Sequence, residues 1–250
     1  MQGNSVIFFP LFRSYAKLLC AFSTRLGGFS QGVYTGLNLG LNTGDQSENI
    51  KRNRESFFRY LLIEENQLAC GQQLHTANVR LVCGPGYFKE TDALVTQQKN
   101  VFLTVLTADC FPVFLFDPLS FTVSIVHAGW KGTQAGIIEN VFYTLKNELK
   151  IRVKHLLAAI GPGLQSECFE VREDVSGQFE DRYLSSPAGS RKTYLNLLQV
   201  ILDKLLAQGV PREQIEYSRE CTRCCAEKFY SYRRQGKDSG RMMGVMGIRS

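Results

Sequence analysis

Apolar residues recur along this chain with two periods, and the change of period divides it. Up to about Asp45 the apolar runs are short and cut by glycines, as in Arg25-Leu-Gly-Gly-Phe-Ser30 and Tyr34-Thr-Gly-Leu-Asn-Leu-Gly40. Glycines at that density mark turns or close backbone approach. Ile50, Phe57, Phe58, Leu61 and Leu62 then follow a helical stripe, and Asp45 with Glu48 three residues later predicts a capping box at its start. From Val101 the period shortens. Val101–Leu106, Val113–Phe116 and Phe121–Val126 are β-prone runs, each bounded by a loop signal. Ile137, Val141, Leu145 and Leu149 are spaced by four and predict one helix over Gly132–Lys150. Leu156–Ile160 reads as a buried strand stopping at Gly161-Pro162-Gly163, and Leu195–Ala207 as a helix ending at Gly209. The last strands are expected at Ile215–Tyr217 and Met242–Ile248. Helices and strands alternate only partly, which predicts an α/β fold, a layered sandwich with mixed sheets, rather than a regular doubly wound sheet.

Composition narrows the class. The 250 residues are 44% hydrophobic and 21% charged, with no repeat or low-complexity tract, so one domain spanning 1–250 is expected. The net charge of +6 suits an anionic small molecule at least as well as a nucleic acid, and no basic run of the kind nucleic-acid binders carry stands out. The N-terminal stretch lacks the pattern of a secretory signal, and no run of about 18 apolar residues exists to span a membrane. Eight cysteines scattered over such a chain read as buried thiols, ligands or nucleophiles rather than a disulfide framework. The expected compartment is the cytoplasm. A homodimer is compatible with the sequence.

Candidate chemistry centres on few residues. There are three histidines, His75, His127 and His155. His127 ends an apolar strand and is followed by Ala-Gly-Trp-Lys-Gly132, while Cys110 follows the neighbouring run in Thr107-Ala-Asp-Cys-Phe-Pro112. Polar groups at strand ends beside glycines are placed as active-site residues are. His75, Cys110 and His127 can form a zinc site with an open position. Cys110 and His127 can equally form a thiolate–imidazolium dyad. A buried core thiol with hydrogen-bonded histidines is the plainer alternative and the one that spacing alone favours; between metal and dyad spacing does not choose. Cys221-Thr-Arg-Cys-Cys225 holds one Cys-x-x-Cys with no second pair after it, so it reads as structural. Arg54 shares a helix face with Ile50, Phe57 and Leu61, and a charge facing inward needs an anion: phosphate, or a carboxylate such as Asp45 or Asp92. The aromatic and basic segment Phe229–Arg241 can stack a base and hold phosphate, or form a solvated loop.

Together the pieces are more specific. Arg25-x-Gly-Gly-x-Ser30, Asn38-Leu39, Gly44-Asp45, Asn53-Arg54, Gln73-x-His75, Asp92-Ala93, Thr107-Ala-Asp-Cys-x-Pro112, His127-Ala-Gly-Trp-Lys-Gly132, Gly161-Pro162, Cys221-Thr222, Phe229-x-Ser-x-Arg-Arg234 and Gly240-Arg241 occur in this order. The set resembles the laccase-domain family, first described as polyphenol oxidoreductases and later as purine nucleoside phosphorylases. That resemblance implies a zinc site on His75, Cys110 and His127, with copper as a substitute metal. It implies phosphorolysis of adenosine, inosine, guanosine and methylthioadenosine, with hydrolytic deamination of adenosine as a second activity. Purine nucleosides and phosphate are therefore the expected partners. Arg54 is the first candidate for a phosphate clamp, followed by Arg25 and Lys131; Ser30, Asn38 and Arg233 are expected to contact substrate. Gln73 and Asp109 neighbour ligands and are candidates for proton transfer. The chain departs from many relatives at Asn196, where they carry aspartate, and at Tyr232, where they carry histidine. Three rivals remain: a cysteine hydrolase using Cys110 and His127 on peptidoglycan-related substrates, a copper polyphenol oxidase, for which three histidines are too few, and a basic nucleic-acid-binding module.

Overall fold

The computed structural model describes residues 5–250; the first four residues, part of the N-terminal stretch considered above, lie outside it. Ten strands precede residue 165: β1 Val6–Phe8, β2 Leu18–Ser23, β3 Leu68–Gly71, β4 Val79–Leu81, β5 Gly86–Phe88, β6 Ala93–Thr96, β7 Phe102–Thr107, β8 Phe111–Asp117, β9 Thr122–Ala128 and β10 Leu157–Ile160. Five follow: β11 Glu170–Val171, β12 Leu184–Ser185, β13 Thr193–Leu195, β14 Ile215–Tyr217 and β15 Met242–Ile248. They form one six-stranded sheet in the order β1-β2-β15-β7-β3-β5, a second in the order β14-β10-β8-β9-β6-β4, and a small sheet β11-β13-β12. Both large sheets are mixed: β3 runs parallel to β7 and β5, whereas β8 is antiparallel to β9 and β10.

Alternation along the strands dictates how the layers stack. In β8, Phe114 and Phe116 point into the apolar layer between the two sheets, while Phe111, Val113 and Leu115 join a second core on the opposite face. β15 splits likewise: Met242 and Met246 enter the inter-sheet layer, and Met243 and Val245 face outward. Strand side chains alternate between faces, so each central strand feeds two cores. Helices close the outer faces. Ile50, Phe57, Phe58 and Leu61 of α1 (Ser47–Leu61) are buried, with Phe57, Phe58 and Leu61 packed on the first sheet; α2 (Trp130–Gln134) leads into α3 (Ile137–Tyr143), which covers the second sheet. α4 (Glu173–Ser176) and α5 (Leu197–Ala207) follow, α5 packing beside α3, and α6 (Tyr232–Gln235) is one short turn. The result is a helix–sheet–sheet–helix sandwich, as the mixed pattern predicts.

Local expectations were corrected in three places. The helix expected over Gly132–Lys150 is broken, because Gly136 adopts φ 91° between α2 and α3, and its last turn, Thr144–Glu148, widens to π geometry. Leu62 leaves the apolar stripe: it caps α1 in the left-handed conformation and is 79% exposed. The capping box on Asp45 does not form, since Gln46 takes the N-cap position without a side-chain bond. The Asp45 carboxylate instead accepts hydrogen bonds from Ser30 Oγ at 2.5 Å and Asn38 Nδ2 at 3.0 Å. Among the described residues no helix is long and apolar enough to cross a membrane.

Candidate metal centre and its cavity

Two connections cross from the first sheet to the second at the same end of the sandwich. β3 and β7 are parallel neighbours, so their chains leave the first sheet side by side. The segment after β3 carries His75 towards β4, and the turn after β7 carries Asp109 and Cys110 into β8. His127 approaches from the second sheet, near the end of β9 and opposite Pro112. The metal-ligating atoms of His75, Cys110 and His127 thereby lie within 4.8 Å of one another, and the two imidazole centroids are 4.7 Å apart.

Both crossing turns are conformationally demanding. His75 has φ 60° and Asp109 φ 97°, left-handed values that L-residues adopt at a cost of about 1–3 kcal/mol each and that gather at functional sites. Anchors hold each one. The Asp92 carboxylate accepts backbone N–H groups from Leu74 (3.1 Å), His75 (3.0 Å) and Thr76 (2.8 Å), and also the Thr76 hydroxyl. The Asp109 carboxylate accepts Thr222 Oγ1 at 2.6 Å and the Arg233 backbone N–H at 2.6 Å.

Asp92 also bonds His127 Nδ1 at 2.8 Å, which leaves Nε2 for Cys110. Burial alone would raise the Cys110 thiol, but the His127 charge and hydrogen bonds from His127 and His75 outweigh it and bring the thiol down to about 6. His127, which burial would lower, is raised to about 9 by the Cys110 thiolate and by Asp92. Burial works against the Asp92 carboxylate too; bonds from His127 and Thr76 hold it down at about 2. Without a bound metal, and between about pH 6 and 9, the electrostatics favour a thiolate beside an imidazolium.

The donor set fits a metal. Two imidazoles and a thiolate are a zinc-compatible set with one position left open, and a carboxylate on the far nitrogen of a ligating histidine is the usual orienting partner. Gly129 leaves the needed room: a Cβ there would lie 2.8 Å from His75 Nδ1 and 2.9 Å from Cys110 Sγ.

The centre opens into a cavity of about 1100 Å³, lined by cations at Arg54, Lys131, Arg233 and Arg241 and by aromatic rings at Tyr87, Trp130, Phe169 and Tyr232. Gln73 and Asp109 also line it. The Gln73 amide is committed at both ends, donating to the Leu106 carbonyl and accepting the Leu106 N–H. Arg54 pairs with Glu65 Oε1 at 2.7 Å and donates to the Leu39 carbonyl, so its carboxylate partner is neither Asp45 nor Asp92. Arg233 donates to the Glu170 carbonyl beside the Phe169 ring. Arg25, Ser30 and Asn38 are not brought to the cavity. Arg25 bonds the Thr35 and Ala226 carbonyls under the Tyr230 ring, and Ser30 and Asn38 join Asn53 and Asp45 in a buried network. Asn196 caps α5 by accepting Gln199 N–H, and it is Leu197 after it, not Asn196, that lines the cavity.

Sequence reasoning gave Asp92 a role only as a possible partner for Arg54 and missed that it orients His127; to Arg241, half-buried in the cavity wall, it gave one only as the end of the aromatic and basic segment Phe229–Arg241. Nothing local in the sequence tied Asp92 to His127 or set Arg241 apart from the other cations of its segment.

Residues 19–249 match the family described as multi-copper polyphenol oxidoreductase laccase. The chain belongs to that family. It is 36% identical over 228 residues to the purine nucleoside phosphorylase of Deinococcus radiodurans, covering 91% of this chain and 88% of that one. An adenosine deaminase from an unknown prokaryotic organism is 30% identical, over 88% of this chain and 90% of its own. The crystal structure of YlmD from Geobacillus stearothermophilus superposes with a TM-score of 0.91 at 29% identity, covering 100% of this chain and 98% of that one. The layered fold is thus a property of the family, and the family's copper name sits on a chain with three histidines in all.

Proposed function

We propose that this protein is a zinc-dependent purine nucleoside phosphorylase acting on adenosine, inosine, guanosine and methylthioadenosine, with deamination of adenosine as a second activity. The observation that carries this reading is the meeting of a two-imidazole, one-thiolate centre with a cavity lined by both rings and cations. A purine offers a flat face for rings, and phosphate needs cations; the relatives named as phosphorylases and as a deaminase fit both halves. His75, Cys110 and His127 would hold the zinc, which supplies Lewis acidity when bound.

The chain's own residues supply the rest. Asp92 fixes the His127 ring and the His75 backbone. Asp109, at the cavity wall, retains lone pairs beyond its two hydrogen bonds and is assigned proton transfer to or from the base. Gln73 is assigned the positioning of Leu106 rather than proton transfer, because a carboxamide neither takes up nor releases a proton near neutral pH and this one is bonded at both ends to the Leu106 backbone. Arg54, Lys131 and Arg241 are assigned to phosphate, with Arg233 and Tyr232 at the substrate's edge. Incubating the protein with adenosine, with and without phosphate, tests this directly. Adenine formed only with phosphate and inosine formed without it are the expected products; release of neither rejects the reading.

A second reading has a specific observation behind it. Cys110, His127 and Asp92 are connected as a nucleophile, base and orienting carboxylate would be in a cysteine hydrolase. His75 distinguishes the two, since a dyad does not require a third ligand. Stoichiometric zinc surviving dialysis supports the metal reading, and a metal-free enzyme inactivated by alkylation supports the hydrolase.

A further inference from the structure

The lone Cys-x-x-Cys looks incomplete in the sequence, and the fold supplies its missing partner. Cys168, 56 positions from Cys224, brings its Sγ to 3.2 Å from the Cys224 Sγ. The Sγ atoms of Cys168, Cys221 and Cys224 all lie within 4.8 Å of one another. A parallel bridge of Gly163 with Cys221, in which Thr222 N–H donates to the Gly163 carbonyl at 3.0 Å, holds the Cys221 segment against the loop after β10.

We propose that Cys168, Cys221 and Cys224 form a second metal site, separate from the His75–Cys110–His127 centre, for a thiophilic d10 cation of the zinc class. Three features point to a cation rather than a disulfide. A disulfide joins two sulfurs, whereas three converge here. Sulfurs about 2.3 Å from a shared zinc stand about 3.8 Å apart in tetrahedral geometry, between the 3.2 Å contact and the 4.8 Å limit observed. Burial would raise the Cys221 thiol, but the backbone N–H groups of Gln165, Cys224 and Arg223 around it bring it down, an environment that favours the thiolate a metal binds. The Arg223 guanidinium sits near the three sulfurs, placing a cation where three thiolates would accumulate negative charge.

Cys168 and Cys221 are buried and Cys224 is exposed, so the cation enters from the Cys224 side and solvent or an exogenous ligand takes the fourth position. Binding forms three metal–sulfur bonds and releases the thiol protons to solvent. Such a site clips the loop after β10 to the segment that carries Thr222. Thr222 donates to Asp109, next to Cys110, so the clip sets the cavity wall without touching substrate.

The test uses the full chain with Cys110→Ala, reduced and stripped of metal, so that the first centre does not contribute. One equivalent of Cd2+ should bind with a thiolate-to-metal charge-transfer absorption and should protect three thiols from a disulfide reagent. Adding Cys224→Ser, a substitution at an exposed position, should weaken binding at least 100-fold and leave the circular dichroism spectrum unchanged. Parallel titrations with Zn2+ and with Cu+ under reductant show which cation of the class binds more tightly. No Cd2+ uptake by the Cys110→Ala chain overturns the proposal without recourse to a second substitution. Uptake that persists undiminished in Cys110→Ala/Cys224→Ser overturns it as well.

Discussion

The Asp92 carboxylate lies 2.8 Å from His127 Nδ1 while also holding the backbone N–H groups of Leu74, His75 and Thr76. One side chain thus orients an imidazole on one sheet and the turn that carries the other imidazole between sheets. Asp92→Asn keeps the shape but replaces an acceptor with an amide donor facing other donors. Zinc affinity, measured by competition with a chelator, should fall about 10- to 100-fold, the usual cost of losing such an orienting partner. Unchanged affinity would mean that the two histidines are held by packing alone.

Gly129 tests the room for the ion. Its added methyl would come within 2.9 Å of both His75 Nδ1 and Cys110 Sγ, closer than real Cβ contacts allow. Gly129→Ala should cost about 1–3 kcal/mol of stability, as overpacking does, and should lower zinc occupancy. Thermal unfolding and elemental analysis are the readouts. Full occupancy at native stability would show that the partly exposed His75 loop moves aside freely.

The metal-free protein has a pH signature. A Cys110 thiol lowered to about 6 and a His127 imidazole raised to about 9 leave the thiolate–imidazolium pair intact between those values. The signs are opposite: the thiolate is lost as pH falls through 6, and the imidazolium is lost as pH rises through 9. Alkylation of Cys110 should therefore stay fast down to about pH 6, where an ordinary thiol of pKa about 8.5 is almost unreactive. Zinc should suppress it. An alkylation midpoint near 8.5 would dispose of the pair.

Arg54 and Glu65 make a charge relationship that phosphate must enter. Three of the five guanidinium N–H donors are engaged, by Glu65 and the Leu39 carbonyl. Glu65→Gln removes a negative charge from the cavity wall and should lower the KM for phosphate severalfold while leaving deamination unchanged. Arg54→Ala should weaken phosphorolysis much more than deamination. Equal losses in both activities, or no change in phosphate KM on Glu65→Gln, would make the pair purely structural.

Much of this architecture is legible in residue order because it rests on local physics. The alternating three- and four-residue spacing of Ile50, Arg54, Phe57 and Leu61 places α1, and all four are buried. The β-prone runs and the Leu156–Ile160 stop at Gly161 place β7 to β10, since alternating faces and breakers act on neighbouring residues. The same local rules overran at Gly136, where one glycine's positive φ breaks a stripe that Ile137, Val141 and Leu145 continue beyond it. His75, Cys110 and His127 could be named from their blocks, but spacing alone did not choose between metal and dyad and favoured the plainer core thiol. What the sequence by itself determined is the placing of α1, α5 and the strands β7 to β10, β14 and β15, and which residue types stand at the ends of those strands; the short strands β1, β3 to β6 and β11 to β13 carry too few residues for a period to show. Only the tertiary structure decided that β3 and β7 leave one sheet side by side, that Asp92 serves both histidine segments, that Arg54 turns to Glu65, and that Cys168 completes the cluster at Cys221 and Cys224. Those pairings depend on strand register and sheet order, which are set by hydrogen bonds and packing between segments far apart in the chain, and no local period encodes them.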